Sequence, residues 1–225
     1  MKAIARIHSD FTEKFGIPRQ SGLVEQLQAQ IMFEPEYRRA EAVRGLEGFS
    51  HLWLIWEFSQ AVRESWSPTV RPPRLGGNER MGVFATRSPF RPNPIGLSCV
   101  RLERVELHTG SGPVLHVRGA DLLSGTPIYD IKPYIPYADC HPEATCGFAP
   151  PPGQPLEVVI PERWLSAIPE QLREALRGVL AQDPRPSYQN DPERVYGMSF
   201  GGVEVKFTVR EHTLTVCSVG KAAPR

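Results

Sequence analysis

Apolar and polar residues alternate most cleanly near the end of the chain. Val203, Val205, Phe207 and Val209 are separated by polar positions, and Thr213–Val219 follows after a short break, so a β-hairpin is expected there. Upstream the period changes. Leu172, Leu176, Val179 and Leu180 fall at i, i+4, i+7 and i+8, the stripe of an amphipathic helix, and Leu156–Ile160 reads as a strand before it. In the first half, Lys2–His8 predicts a short strand and Phe11–Gly22 a loop. Leu23–Phe33 fits either period, with strand favoured over Gln26–Phe33. Tyr37, Ala40, Val43 and Leu46 recur every three residues, which predicts one helix face closed by Gly48. His51–Phe58, dense in Trp, Leu, Ile and Phe, reads as a strand buried on both faces, with Trp53 and Trp56 in the core. Ser67–Asn78 is a Pro/Gly-rich loop.

Further on, Met81–Thr86 and Ile95–Leu102 are strand-like. Two long strands are expected at Leu97–Leu107 and Val114–Leu123, joined around Gly110–Pro113. A turn at Ser124–Pro127 then leads into a strand over Ile128–Tyr134. Many strands, one or two helices and Pro/Gly turns argue for a barrel. Five prolines and two glycines in His141–Pro155 mark a boundary. The expected organisation is mainly β: a barrel over 1–140, a Pro-rich linker over 141–155 and a small α+β domain over 156–225.

One stretch breaks both periods. Arg87-Ser-Pro-Phe-Arg-Pro-Asn-Pro-Ile-Gly-Leu-Ser98 carries prolines at 89, 92 and 94. Each proline fixes its own φ near −65° and keeps the preceding residue out of the helical region. A stiff loop between strands, bearing two arginines and an asparagine, holds polar groups in fixed positions.

The formal net charge of +1 excludes a general polyanion binder, but the distribution is uneven. Ala61–Arg104 holds eight arginines, no lysine and three glutamates, whereas Val105–Pro155 has two basic residues and five acids. The last segment is balanced, nine against nine. A local arginine excess suits selective phosphate or carboxylate contacts. Cys99, Cys140, Cys146 and Cys217 show no C-x-x-C spacing, and Cys140-His141 with Cys146 matches no standard zinc pattern, so no metal site is expected. No G-x-G-x-x-G follows a strand, which removes support for a dinucleotide-type fold. With no signal, transit or spanning segment in view, a cytoplasmic protein with reduced thiols is expected.

The Arg87–Ser98 stretch resembles the signature of the TsaA-like/TrmO family, S-adenosylmethionine-dependent methyltransferases that modify tRNA. Phe15-Gly-Ile-Pro-Arg-Gln, Ala42-Val-Arg-Gly-Leu-Glu, Phe49-Ser-His-Leu-Trp and Arg71-Pro-Pro-Arg-Leu-Gly-Gly-Asn resemble further family blocks, as do Gly125-Thr-Pro-Ile-Tyr-Asp-Ile-Lys-Pro-Tyr and Leu180-Ala-Gln-Asp-Pro-Arg-Pro. They run in order to about Tyr188. The resemblance implies a TsaA-like β-barrel, a homodimer with the cofactor near the subunit interface, and a cofactor site at Pro18, Arg19, Gln20, Ser59, Gln60, Arg87, Leu97 and the Ser124-Gly125-Thr126-Pro127 turn. Ser124 and Ser59 depart from the Asp and His associated with the family, which leaves side-chain contacts there open. The implied acceptor is the exocyclic amine of a threonylcarbamoyl-adenosine beside the anticodon.

That amine is a poor nucleophile, because its lone pair is delocalised into purine and carbonyl. Alignment and a positioned base are therefore needed. In an extended segment Asp130, Lys132 and Tyr134 share a face and form a candidate proton-handling set; the alternative is a structural ion pair under a packed tyrosine. Asn93 and Arg91 are candidates for holding the acceptor or the loop. Arg71, Arg74, Arg80 and Arg91, with Arg185 in the last segment, are candidate phosphate contacts, and Trp66 or Tyr134 could stack a base. An RNA-binding protein that keeps the cofactor pocket without catalysis, and a small-molecule methyltransferase, remain as alternatives.

Overall fold

The computed structural model describes residues 1–151, 153–186, 189 and 191–222; Tyr188, where the family blocks end, lies outside the described residues, as do Pro152 of the linker and positions 223–225. In chain order the strands are β1 (Ala5–Ser9), β2 (Gln28–Phe33), β3 (His51–Glu57), β4 (Thr69–Val70), β5 (Met81–Gly82) and β6 (Ile95–Thr109). There follow β7 (Gly112–Arg118), β8 (Pro127–Pro133), β9 (Glu157–Val159), β10 (Tyr196–Phe200), β11 (Val203–Arg210) and β12 (Thr213–Lys221).

Six strands close into a barrel in the order β1-β2-β7-β6-β3-β8, every neighbouring pair antiparallel. The seam is short: Ala5 and Arg6 pair with Ile128 and Pro127. Ile7, Ile31, Leu52, Leu54, Val100, Leu115, Val117 and Ile128 fill the interior. Period-two alternation puts these branched side chains on one face of each strand, and closure gives that face a dry surface to meet.

Several expectations change for physical reasons. A closed barrel has one interior, so His51–Glu57 buries Leu52, Leu54 and Trp56 while Trp53 and Ile55 stay half-buried outside. Trp53 is thus not in the core; it packs against Tyr134, ring centroids 5.8 Å apart. The repeat from Tyr37 to Leu46 forms three separate 3₁₀ turns, Pro35–Tyr37, Ala40–Val43 and Leu46–Gly48, instead of one helix. A spacing of three is also the 3₁₀ repeat, and Gly45 in the left-handed region, φ 91°, breaks the path. Of Met81–Thr86 only Met81–Gly82 pairs, with β4; the next three residues turn to bury Val83. β6 is a single strand running through to Thr109, and β7 stops at Arg118, short of Leu123.

The second sheet has the order β10-β11-β12-β9, with β9 parallel to β12 and the hairpin β11–β12 antiparallel as its alternation implies. The helix Arg173–Ala181 lays Ala175, Leu176, Val179 and Leu180 into the core beside this sheet. That core also takes Phe11, Val24 and Leu27 from the loop between β1 and β2, and Phe11 meets Phe200 edge-on at 5.3 Å. Each such large apolar side chain contributes about 1.5–3 kcal/mol by burial. The Pro-rich stretch therefore separates two sheets in sequence, while the second core depends on residues from the first half.

Candidate cofactor cleft and nucleic-acid face

The proline-rich loop is held from within. Thr86 Oγ1 donates to the Val83 carbonyl at 2.8 Å and accepts from Ser88 N at 3.2 Å; Phe90 N donates to Ser88 Oγ at 3.2 Å. Arg91 turns back to the Thr86 carbonyl at 3.0 Å, and Phe58 N donates to the Pro94 carbonyl at 2.8 Å, fixing the loop to the end of β3. These bonds leave Arg87 exposed at a rim, where its guanidinium donates to Gln20 Oε1 from the loop after β1.

Below the rim lies a polar chain in an otherwise apolar wall. Trp56 Nε1 donates to Ser98 Oγ at 3.0 Å, and Ser98 Oγ donates to Asp121 Oδ1 at 2.6 Å. Burial pushes the Asp121 carboxyl above its ordinary range, an effect opposed by the Ser98 hydroxyl and by the charge of Arg87. Trp56 has room because position 96 is glycine: a Cβ there would stand 2.3 Å from the indole Cε2.

The resulting cleft encloses about 960 Å³, within the range of small-molecule sites. Pro18, Arg19, Gln20, Ser59, Gln60, Arg87, Leu97 and Thr126 line it, as does Asn93. Leu97 is 54% exposed, an apolar side chain bare at the cleft. Ser124, Gly125 and Pro127 do not line it. Ser124 Oγ accepts from Ser9 N at 3.4 Å, the Gly125 carbonyl accepts from Arg6 Nη1 at 3.0 Å, and Pro127 sits in the barrel seam. The residues fit a nucleoside joined to an amino acid. Arg87 offers a fork to a carboxylate, while Trp56, Phe58 and Leu97 offer apolar surface to a purine.

A wider groove opens from this cleft toward the second sheet, and Arg71, Arg74, Arg91 and Arg185 line it. Arg74 donates to the Pro150 carbonyl at 2.7 Å, tying the loop Ser67–Asn78 to the linker. Arg80 donates to Thr69 Oγ1 at 3.1 Å and lines neither space. Arg185 forms a fork with Asp183, both contacts 2.8 Å, and its side chain is only 10% exposed.

Asp130, Lys132 and Tyr134 lie on the outer barrel surface and line neither space. Asp130 and Lys132 pair at 3.2 Å, and Tyr134 meets His51 edge-on and Trp53 at a tilt. Partial desolvation, with the Cys140 thiol beside it, pushes the Tyr134 phenol up, so it holds its proton more firmly than a free phenol. Asp130 is opposite Ile55 and Ile55 opposite Leu97. Two strand spacings, about 10 Å, thus separate the acid from the cleft.

Sequence reasoning missed Ser98 and Asp121 and treated Trp56 as core alone. The available signal was weak, a lone acid in the apolar run Ala120-Asp121-Leu122; the pairing of Gly96 with Trp56 is set by strand register.

Comparison with known proteins identifies the family. Residues 6–140 match the tRNA-methyltransferase O N-terminal domain and residues 157–222 the TrmO C-terminal domain. A protein of Escherichia coli strain K12 named tRNA (adenine(37)-N6)-methyltransferase is 45% identical over 92% of both chains. One of the same name from Eikenella corrodens is 51% identical over 72% of this chain and 92% of its own. The crystal structure of TrmO from Pseudomonas aeruginosa superimposes with a TM-score of 0.79 at 35% identity, covering 97% of this chain and 96% of that one. The chain belongs to the tRNA-methyltransferase O family and carries both of its domains.

Proposed function

We propose that this protein methylates the exocyclic amine of adenosine 37 in tRNA using S-adenosylmethionine, and that the adenosine already carries a threonylcarbamoyl group. The observation that carries the reading is the meeting of Arg87 with Gln20, two family blocks 67 residues apart, at the rim of a cleft of suitable size. S-adenosylmethionine supplies an electrophilic methyl group on sulfur. Arg87 binds its carboxylate, prepositioned by Gln20 and by the rigid proline loop. Trp56, Phe58 and Leu97 exclude water from the purine side, and Asn93 and Arg91 orient the acceptor. The exposed arginines of the wider groove hold the RNA backbone, a contact that positions without reading sequence.

The proton of the amine is assigned to the Asp130 carboxylate, with Lys132 and Tyr134 beside it on the same strand face, brought to the cleft of a second copy in a homodimer. The outer faces of β3 and β6 support this, since Trp53 and Ile55 are half-buried there and Leu97 is exposed. A closed two-fold pair is the commonest assembly. Among the described residues no helix is long and apolar enough to cross a membrane and no cluster of metal-ligating side chains occurs. We place the enzyme in the cytoplasm.

Transfer of labelled methyl to tRNA with and without prior threonylcarbamoylation tests the acceptor. A charge-assisted handle of about 1.5–3 kcal/mol makes transfer to the plain transcript at least about tenfold slower. Equal rates remove the modified base as the acceptor, and no transfer to either removes the enzymatic reading.

A further inference from the structure

Trp66 and Phe84 are 53% and 72% exposed, unusually bare for side chains of this size, and their ring centroids lie 6.1 Å apart at 32°. They flank the ribbon β4–β5, whose backbone is not free to fold them away. Val83, next to Phe84, is buried, its N–H donates to the Pro68 carbonyl at 2.9 Å, and Thr86 caps the same turn. Phe84 lines both the cofactor cleft and the wider groove, while Trp66 lines only the groove. Nearby, the Arg63 guanidinium lies 3.7 Å over the Phe90 ring. The groove beside the rings is lined by Arg63, Arg71, Arg74 and Arg91 against two acids, Glu64 and Asp183, and Asp183 is already engaged by Arg185. Bare aromatic faces on a fixed backbone, next to unbalanced arginine, suit unpaired RNA: every base has a π-face and every phosphate a charge. A protein partner with an apolar patch would leave these arginines uncompensated.

We infer that Trp66 and Phe84 form the stacking platform for the unpaired nucleobase flanking the methyl acceptor, and so set the register in which that acceptor enters the cofactor cleft. Phe84, shared by the two spaces, is where the strand passes from groove to cleft. This rests on the proposed function, and the test separates the two. Binding of an anticodon stem-loop RNA is measured by fluorescence anisotropy, alongside methyl transfer to whole tRNA, for the full chain and for Trp66→Leu, Phe84→Leu, Trp66→Phe and Phe84→Tyr. Each leucine variant is expected to weaken RNA binding roughly fivefold to a hundredfold, the range of one base–aromatic stack. For Trp66→Leu, which lies outside the cofactor cleft, KM for tRNA should rise with cofactor affinity little changed, while the aromatic replacements stay near the starting protein. An abasic site on one side of the acceptor should weaken binding to the starting protein and have little further effect on the leucine variants. Undiminished binding by both leucine variants, equal losses in the aromatic replacements, or fully additive losses with abasic RNA on either side would overturn the platform. If the starting protein transfers no methyl but the abasic cycle still shows coupling, the enzymatic reading fails and the platform stands.

Discussion

Gly96→Ala is the sharpest probe of how the barrel builds its cleft. Gly96 has an ordinary negative φ, so the substitution costs nothing in backbone strain and acts through one methyl group. That methyl would lie 2.3 and 2.4 Å from Trp56 Cε2 and Cζ2, so the indole must move by more than about 1 Å to regain van der Waals distance. The ring is not free to move, since Nε1 donates to Ser98, itself donating to Asp121. Overpacking typically costs about 1–3 kcal/mol, and stretching the indole bond adds about 0.5–1.5 kcal/mol. A loss of roughly 2–4 kcal/mol corresponds to a fall in Tm of about 4–16 °C for a chain of this size. Urea unfolding and calorimetric cofactor titration measure the two consequences, stability and cleft shape. Trp56→Leu removes the obstructing ring, so the double variant should be more stable than the sum of the single losses by more than about 1 kcal/mol. A Gly96→Ala protein within about 0.5 kcal/mol of the starting protein, or strictly additive losses, would refute the argument that this glycine makes room for Trp56.

Other outcomes follow from the same contacts. Arg87→Ala should weaken S-adenosylmethionine binding about tenfold to a hundredfold by calorimetry, and unchanged affinity would move the carboxylate elsewhere. Burial raises the Asp121 carboxyl above its unfolded value near 3.9, so between the two values the folded state binds more protons. Its contribution is therefore greatest below the unfolded value and is lost as pH rises through the folded one. The stability of the starting protein relative to Asp121→Asn should decline over that window, and parallel curves would exclude the shift. Arg185→Ala should cost about 1–3 kcal/mol by breaking the fork with half-exposed Asp183, whereas exposed Arg71→Ala should leave stability unchanged and reduce the salt slope of tRNA binding by about one. Light scattering should show a dimer at micromolar concentration; a fully active monomer would remove the assembly and the shared proton-handling set with it.

What the chain reveals by itself is whatever depends on neighbours in sequence. Val203–Val209 and Leu172–Leu180 were legible because a period of two or of 3.6 is imposed by each element's own geometry. The rigidity of Arg87–Pro94 was legible because proline restricts the residue that carries it. The ambiguity of Tyr37–Leu46 was physical too, since a spacing of three serves a helix face and a 3₁₀ turn alike. Closure of the barrel decided the rest. It gave β3 one dry face, put Trp53 outside, and brought Ser98 and Asp121 together from 23 residues apart to end a chain that starts at Trp56. It also set Asp130 in a row with Ile55 and Leu97 yet outside the cleft. No local pattern encodes these meetings. They depend on strand register and on which faces meet when the sheet curls shut, quantities that belong to the packed molecule and to no single segment of it.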